Sequence, residues 1–269
     1  MMLTPYKAVF IDLDGTLLNR QSQISPRNAA CIKKLVSRGI RVVFATGRPV
    51  ESIRTLLGSV HDQDPVISLS GSMINQTLFG PPMKMQTIPF ETVHQVLDAC
   101  RSMGTVDNIL LDESDGFYAL KQSPDLEEFI GMYNKHPKSF TYDAIPSAPV
   151  LSVLIYSKDN RRAIYNTLQE KFADSVHFTY FKEYPWIELS TFGSNKAVAM
   201  TDVCESLGIK VSEAIAIGDG ANDLEMIAAA GLGIAMANAD DEVKAVSDRL
   251  APHHAEDGVA QVLGEIFGL

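Results

Sequence analysis

The 269-residue sequence has one tryptophan and three cysteines, Cys31, Cys100 and Cys204, and no Cys-x-x-Cys pair. An odd number of widely spaced thiols offers neither a disulfide framework nor a zinc ribbon. The expectation is three reduced, mostly buried cysteines in a cytoplasmic protein. Basic residues are few: 23 Lys and Arg against 33 Asp and Glu leave a formal net charge of −10. Such a surface repels nucleic acid and anionic membranes, so neither is expected as a partner. A small anionic substrate stays open, because a metal or a few bases can reverse the local field. Long hydrophobic runs are also missing. The opening MMLTPYKAVF has no basic segment followed by a long apolar stretch, so no signal peptide is expected. The longest late uncharged run, residues 226–239, is too short and too rich in Gly and Ala to span a bilayer.

What is present is an ordinary globular composition, 46% apolar and 21% charged, in a length that suits one large domain or two small ones. The first 80 residues alternate strand and helix. Residues 7–12 read as a strand. The next helix opens with Ser25 as N-cap and Pro26 at its first position, and closes on Gly39. Residues 40–45 form a second strand, Pro49 starts a second helix, and VISLS at 66–70 is a third strand. Strict alternation implies a doubly wound α/β fold with a parallel, Rossmann-like sheet.

The rhythm breaks at Gly80-Pro81-Pro82, which reads as a linker. Helices are expected near 89–103, 125–134 and 160–172, strands at 150–157 and 175–181, and a hairpin at Asp115-Gly116. This block, 83–187, reads as an α+β domain with an antiparallel sheet, inserted into the first. The α/β rhythm resumes at about 188 with a helix capped by Ser194 and ended by Gly208. The expected division is therefore 1–82 with 188–269, and 83–187.

Two strands end in acid. VFIDLDGTLL presents Asp12 and Asp14 directly after an apolar run, and AIAIGDGANDLEM presents Asp219, then Asn222 and Asp223. A bare Asp-Gly is a turn, and Asp or Asn at a helix start is a cap. Neither explains an acid at each strand end as well. In an open parallel sheet, ligands bind outside the carboxyl ends of the strands. If the two strands are neighbours, Asp12, Asp14, Asp219 and Asp223 converge. Two carboxylates ~5 Å apart at an effective dielectric of ~20 repel by about 3 kcal/mol, so the cluster needs a cation. All-oxygen ligation favours Mg²⁺.

Two bases stand where a helix dipole disfavours them. Arg48 precedes Pro49, and Lys196 follows Ser194 by two residues. Together with Thr46 and Gly47 they suggest a bound anion, and a metal beside helix N-termini describes a phosphate site.

These residues resemble the haloacid dehalogenase superfamily of phosphohydrolases, in particular its Cof-type branch (subfamily IIB) with a large cap. DLDGT at 12–16 matches the first motif, ATGR at 45–48 the second, Lys196 the third and GDGANDLEM at 218–226 the fourth. The tail segments 233–248 and 256–263 also look like the branch. Two departures stand out. Ser70-Gly71-Ser72 replaces a usual Asn-Gly-Ala, and His253-His254 replaces a usual Ser-Asn. The histidines could be read as a metal pair; adjacent histidines in a polar loop are more often solvated.

The resemblance implies a Mg²⁺-dependent phosphatase acting on a small phosphomonoester such as a sugar phosphate, with the cap setting specificity. It makes Asp12 the nucleophile and Asp14 the general acid and base. Asp12, the backbone carbonyl of Asp14 and Asp219 would hold the metal, with Asp223 supporting it. Leu13, Thr46, Gly47, Lys196 and Asn222 would hold the phosphoryl oxygens. Tyr118, Tyr184 and Trp186 could stack on an aromatic ligand or simply pack. The rival within enzymes is a sugar-phosphate phosphotransferase or mutase. A non-catalytic regulator on the same fold would be expected to lack Asp12 or Asp14, and a transport ATPase would need membrane spans.

Overall fold

The computed structural model describes residues 5–114, 116–127, 130–131, 135–182 and 185–269. The chain divides into two compact units, Met1–Lys84 with Asn195–Leu269, and Met85–Ser194.

The first unit contains strands β1 (Ala8–Ile11), β2 (Arg41–Ala45), β3 (Val66–Ser68), β4 (Met73–Asn75) and β5 (Pro82–Met85, whose last residue belongs to the other unit), with helices α1 (Pro26–Ser37) and α2 (Val50–Leu57) between them. β1 reads AVFI and is buried throughout. A parallel strand covered on both faces has no polar side to alternate with. Ser25 caps α1 by accepting from the Asn28 amide at 3.0 Å, and Pro26 occupies its first turn, where a missing N–H costs nothing.

The second unit starts with α3 (Phe90–Met103) and continues through β6 (Asn108–Glu113), β7 (Gly116–Ala119), β8 (Lys138–Ser139), β9 (Ser152–Tyr156), α4 (Arg161–Phe172), β10 (Val176–Tyr180) and β11 (Trp186–Thr191). Its six-stranded sheet has the order β10-β11-β9-β6-β7-β8 and is antiparallel except for the β7–β8 pair. Alternate residues Ile109, Leu111, Val153, Ile155, Ile187 and Leu189 pack against Val93 and Leu97 of α3 and Ile164 and Leu168 of α4. This is the α+β arrangement expected of a sheet with helices on one face. Trp186 is buried on the other face with its ring 5.0 Å from that of Tyr156, so it serves packing. Tyr118 packs toward the helices and carries Lys138 over its ring. Asp115 and Tyr184 lie outside the described residues, as do positions 128, 129 and 132–134 of the helix expected near 125–134; Pro124–Leu126 form one 3-10 turn.

The chain then returns to the first unit with α5 (Lys196–Ser206), β12 (Ala214–Gly218), α6 (Leu224–Ala229), β13 (Leu232–Met236), α7 (Asp241–Val246), β14 (Arg249–Ala251) and α8 (Gly258–Phe267). The eight-stranded sheet has the order β14-β13-β12-β1-β2-β3-β4-β5. From β1 the chain winds to one side through β2 and β3, then returns after the second unit to β12 on the other side. β1 therefore lies at the point where the winding reverses, which is where open α/β sheets bind ligands.

The sheet departs from the expectations in four places. β4 runs antiparallel to β3, pairing Met73 with Ser68, so the parallel run stops there. The third strand ends at Ser68 rather than at residue 70, because Leu69 and Ser70 turn with positive φ. Pro82 opens the edge strand β5 instead of a linker; at the first residue of an edge strand, proline forfeits no ladder bond. Residues 188–194 belong to the second unit, not to the returning core, because Trp186–Thr191 pairs with β9 and β10. Cys31, Cys100 and Cys204 are buried free thiols. Among the described residues, no helix is long and apolar enough to cross a membrane.

Candidate active site

β1 and β12 are parallel neighbours with Ile11 beside Ile217. The register carries one residue further: the Asp12 amide donates to the Ile217 carbonyl at 3.0 Å. Two acids far apart in sequence thus leave the sheet side by side. After Asp12 the chain makes a wide turn, Leu13–Leu17, in which Gly15 adopts φ 76°. Glycine is required there twice over. The conformation is left-handed, and a Cβ would sit 2.1 Å from Asp219 Oδ2. Leu13, between the two acids of the turn, is buried.

Lys196 is the first residue of α5. The cap is Asn195, whose Oδ1 accepts from the Val198 amide at 2.9 Å, and not Ser194 as the sequence suggested. Lys196 is fully buried and donates to Asp12 Oδ1 at 2.7 Å and to Asp223 Oδ1 at 2.6 Å. The cation so badly placed for the helix dipole is thus held by two carboxylates. Asp223 is itself fixed by the amides of Asp219 and Gly220, each donating to its Oδ2 at 3.0 Å. Its approach explains Gly218, where a Cβ would fall 2.4 Å from Asp223 Cγ.

Burial pushes the Asp12 carboxyl well above its usual range, with Asp223 adding repulsion and Lys196 only partly offsetting both. Asp219 is raised to about 7 for the same reasons, burial first and the Asp223 charge second. Burial alone would lower Lys196, but Asp12 and Asp223 outweigh it and hold its ammonium above the usual range. One buried cation faces three acids, so the site is short of positive charge.

Asp12, Asp219 and Asp223 each offer a carboxylate oxygen within 4.8 Å of the others. Three hard oxygens with surplus negative charge fit a divalent cation of the Mg²⁺ type. Both Asp223 oxygens already accept bonds from protein donors, so Asp223 suits a place behind the cation better than direct ligation. The Asp14 carboxylate is not part of the cluster. Arg48 grips it through Nε at 2.6 Å and Nη2 at 2.5 Å, a two-pronged pair that engages both oxygens. The two bases that the sequence marked for an anion are therefore both engaged by acids.

Thr46 is fully buried and its Oγ1 accepts from the Arg48 amide at 3.1 Å, closing the loop after β2. Gly47 faces Asn222: a Cβ there would lie 3.3 Å from Ser70 Oγ and 3.5 Å from Asn222 Nδ2. Asn222 Nδ2 donates to Ser70 Oγ at 3.1 Å.

Sequence reasoning gave no role to several residues found here. Thr16 Oγ1 donates to Asp219 Oδ1 at 2.7 Å. Asn238 Nδ2 donates to the Gly15 carbonyl at 2.7 Å and to Asp219 Oδ2 at 3.3 Å. Thr16 stood in the first motif and could have been suspected; nothing in the spacing of Asn238 pointed here. His253 and His254 stack at 4.6 Å, but they serve separate ends. His253 Nδ1 accepts from the Ala255 amide at 3.1 Å, whereas His254 Nδ1 donates to the Leu18 carbonyl at 2.7 Å, which fixes its tautomer.

A family model described as haloacid dehalogenase-like hydrolase matches residues 9–263. The 5-amino-6-(5-phospho-D-ribitylamino)uracil phosphatase YitU of Bacillus subtilis (strain 168) is 31% identical over the whole of both chains. A second phosphatase of the same name and organism, YcsE, is 29% identical over 96% of this chain and 94% of its own. Among solved structures, a haloacid dehalogenase-like hydrolase from Bacteroides thetaiotaomicron is 28% identical and superposes with a TM-score of 0.82, covering 97% of this chain and all of the other.

Proposed function

The chain belongs to the haloacid dehalogenase-like hydrolases, and from the site it carries we propose that it is a Mg²⁺-dependent phosphatase cleaving a small phosphomonoester through an aspartyl-phosphate. The observation that carries this reading is the Asp12–Lys196–Asp223 bridge beside Asp219, at the reversal point of the sheet.

Asp12, Asp219 and the backbone carbonyl of Asp14 would hold the cation, which when bound neutralises charge on the phosphoryl oxygens and on the acids around it. Lys196 fixes one oxygen of Asp12 and with it the direction of the other. That other oxygen attacks phosphorus in line. As the new bond forms, the bond to the leaving oxygen breaks, and Asp14 gives that oxygen its proton. Thr46, Gly47, Asn222, the Leu13 amide and the third N–H of Lys196 receive the phosphoryl oxygens and the charge that builds on them. In the second step Asp14, now a carboxylate, takes a proton from water. The water oxygen attacks phosphorus, the bond to Asp12 breaks, and inorganic phosphate leaves. Arg48 holds both Asp14 oxygens in the structure, so one of these two bonds would open for Asp14 to carry the proton, while the other keeps the carboxyl directed.

The relatives named for a phospho-ribitylamino-uracil support a polyhydroxylated metabolite as the substrate class, a sugar phosphate or similar. The second unit, Met85–Ser194, would act as the cap that reads the leaving group. The test is phosphate release from p-nitrophenyl phosphate and from a panel of sugar phosphates. Release that requires Mg²⁺ and stops with Asp12→Asn supports the reading. Activity that survives complete chelation, or an isomeric sugar phosphate in place of free phosphate, would sink it.

A further inference from the structure

β3 stops at Ser68, and the chain then does something costly. Leu69 and Ser70 both adopt the left-handed region, with φ of 48° and 50°. Neither is Gly, Asn or Asp, the residues that enter this region readily. Both are buried, so the conformation is held by what surrounds it.

The turn is gripped from three directions, and each leads to a different part of the phosphoryl site. The Leu69 amide donates to the Arg48 carbonyl at 3.2 Å, and the Ser70 amide to the Thr46 carbonyl at 3.0 Å. In a trans peptide the N–H points opposite to the C=O, so holding the Thr46 carbonyl toward the turn aims the Gly47 N–H away from it. The Ser70 hydroxyl accepts from Asn222 at 3.1 Å. Gly71 presses on the start of α5, where a Cβ would come within 2.4 Å of the Asn195 carbonyl and 3.0 Å of the Lys196 amide. One turn thus touches the loop after β2, the segment after β12 and the helix that carries Lys196.

We propose that Ser70 is a positioning residue for phosphate recognition, acting through Asn222, and that the left-handed turn Leu69–Gly71 sets the register of the phosphoryl-binding groups. This rests on the phosphatase reading above. The side-chain amide of Asn222 has two N–H bonds in one plane. Committing one to Ser70 fixes the plane and so the direction of the other. Without the hydroxyl, Asn222 rotates and an oxygen of the substrate loses a directed donor.

A serine that merely completed a turn would behave differently. Ser70→Gly and Ser70→Ala both remove the hydroxyl, but only glycine accepts the positive φ without strain. The experiment measures two quantities on the full-length, Mg²⁺-loaded protein: Tm, and the Kd for inorganic phosphate by calorimetry. The glycine variant should melt above the alanine variant, while both bind phosphate about 5- to 10-fold more weakly than wild type, the loss of one directed hydrogen bond. In an Asn222→Ala background, Ser70→Ala should change the Kd by less than about twofold, since its route of action is gone. Phosphate affinity that tracks Tm, or the full loss repeated without Asn222, would overturn the role of Ser70. Wild-type protein that binds no phosphate at all would overturn the phosphatase reading and this one with it.

Discussion

Lys196 Nζ lies between Asp12 Oδ1, at 2.7 Å, and Asp223 Oδ1, at 2.6 Å, with no part of its side chain exposed. A single ammonium therefore joins the end of β1 to the segment after β12. Removing one member of a buried ion pair strands the rest. Lys196→Met is expected to destabilise the fold by about 3–5 kcal/mol, because two buried carboxylates lose their cation. Urea unfolding at pH 7.5 checks this, and added Mg²⁺ should recover part of the loss. A variant as stable as wild type without metal would mean that the acids find another partner.

Asp12→Asn separates chemistry from stability. It deletes the proposed nucleophile but relieves the burial of a charged carboxylate and the Asp223 repulsion that together raise Asp12, and Lys196 keeps Asp223. Turnover should fall by about 10³-fold or more, with Tm within a few degrees of wild type. Most of the wild-type rate remaining in this variant would rule out the covalent route.

Asp14→Asn should depend on the leaving group. p-Nitrophenol departs with little help, so the first step suffers less there than with a sugar phosphate. The second step still needs a base, so phosphorylated protein should accumulate and be trapped by acid quench. Arg48→Ala should show the same leaving-group bias in milder form, about 10-fold, because the carboxyl loses its two-pronged hold. Equal losses on both substrates would place neither residue in proton transfer.

The metal-free protein should lose stability as pH rises. Asp219 titrates at about 7 in the fold because burial and Asp223 raise it, against about 4 for an unfolded aspartate. Between those values the folded state holds more protons than the unfolded one, so stability falls with increasing pH across roughly 4 to 7. Asp12 shifts in the same direction. Mg²⁺ replaces those protons, so its effect on Tm should be larger at pH 8 than at pH 5. A Mg²⁺ shift independent of pH would mean that the ion binds elsewhere.

The thiols should be nearly inert in the native state. Burial raises Cys31 and Cys204 to about 11 and Cys100 to about 12. At pH 8 only about one thiolate in 10³ or fewer is present, so disulfide exchange with Ellman's reagent should wait for unfolding. Rapid labelling of any of the three in folded protein would contradict the burial.

The sequence carries the central strands well because burial on both faces leaves an unbroken apolar run, as in AVFI of β1 and AIAIG of β12. Acids immediately after such runs mark the carboxyl ends of strands, and only neighbouring strands could bring Asp12 to Asp219. Strand order settles that, and periodicity does not encode it. The partners of the bases were equally hidden: which acid Arg48 meets depends on how the Leu13–Leu17 turn swings Asp14 away from the cluster. The limits of the second unit were blurred for a plainer reason. The sequence reading places no strand between residue 181 and the helix after Ser194, and only the pairing of Trp186–Thr191 with β9 and β10 assigns β11 to the second unit. Asn238 reaches Gly15 and Asp219 across sequence separations that no local pattern announces. Ser70 stood out in the sequence as part of the Ser70-Gly71-Ser72 departure, but its bond to Asn222, 152 residues away, did not.

The two units are unequal in how they can be built. Met85–Ser194 is one continuous stretch, whereas its companion is assembled from two stretches on either side of it. During synthesis, β1 leaves the ribosome with β2 as a neighbour but with its other flank open until β12 follows, about 200 residues later by sequence position. At the usual elongation rate of about 5–20 residues per second, that flank is exposed for some 10–40 s. The whole of the inserted unit is synthesised within that interval. The eight-stranded sheet closes last, and the acids that follow β1 and β12 meet only when it does.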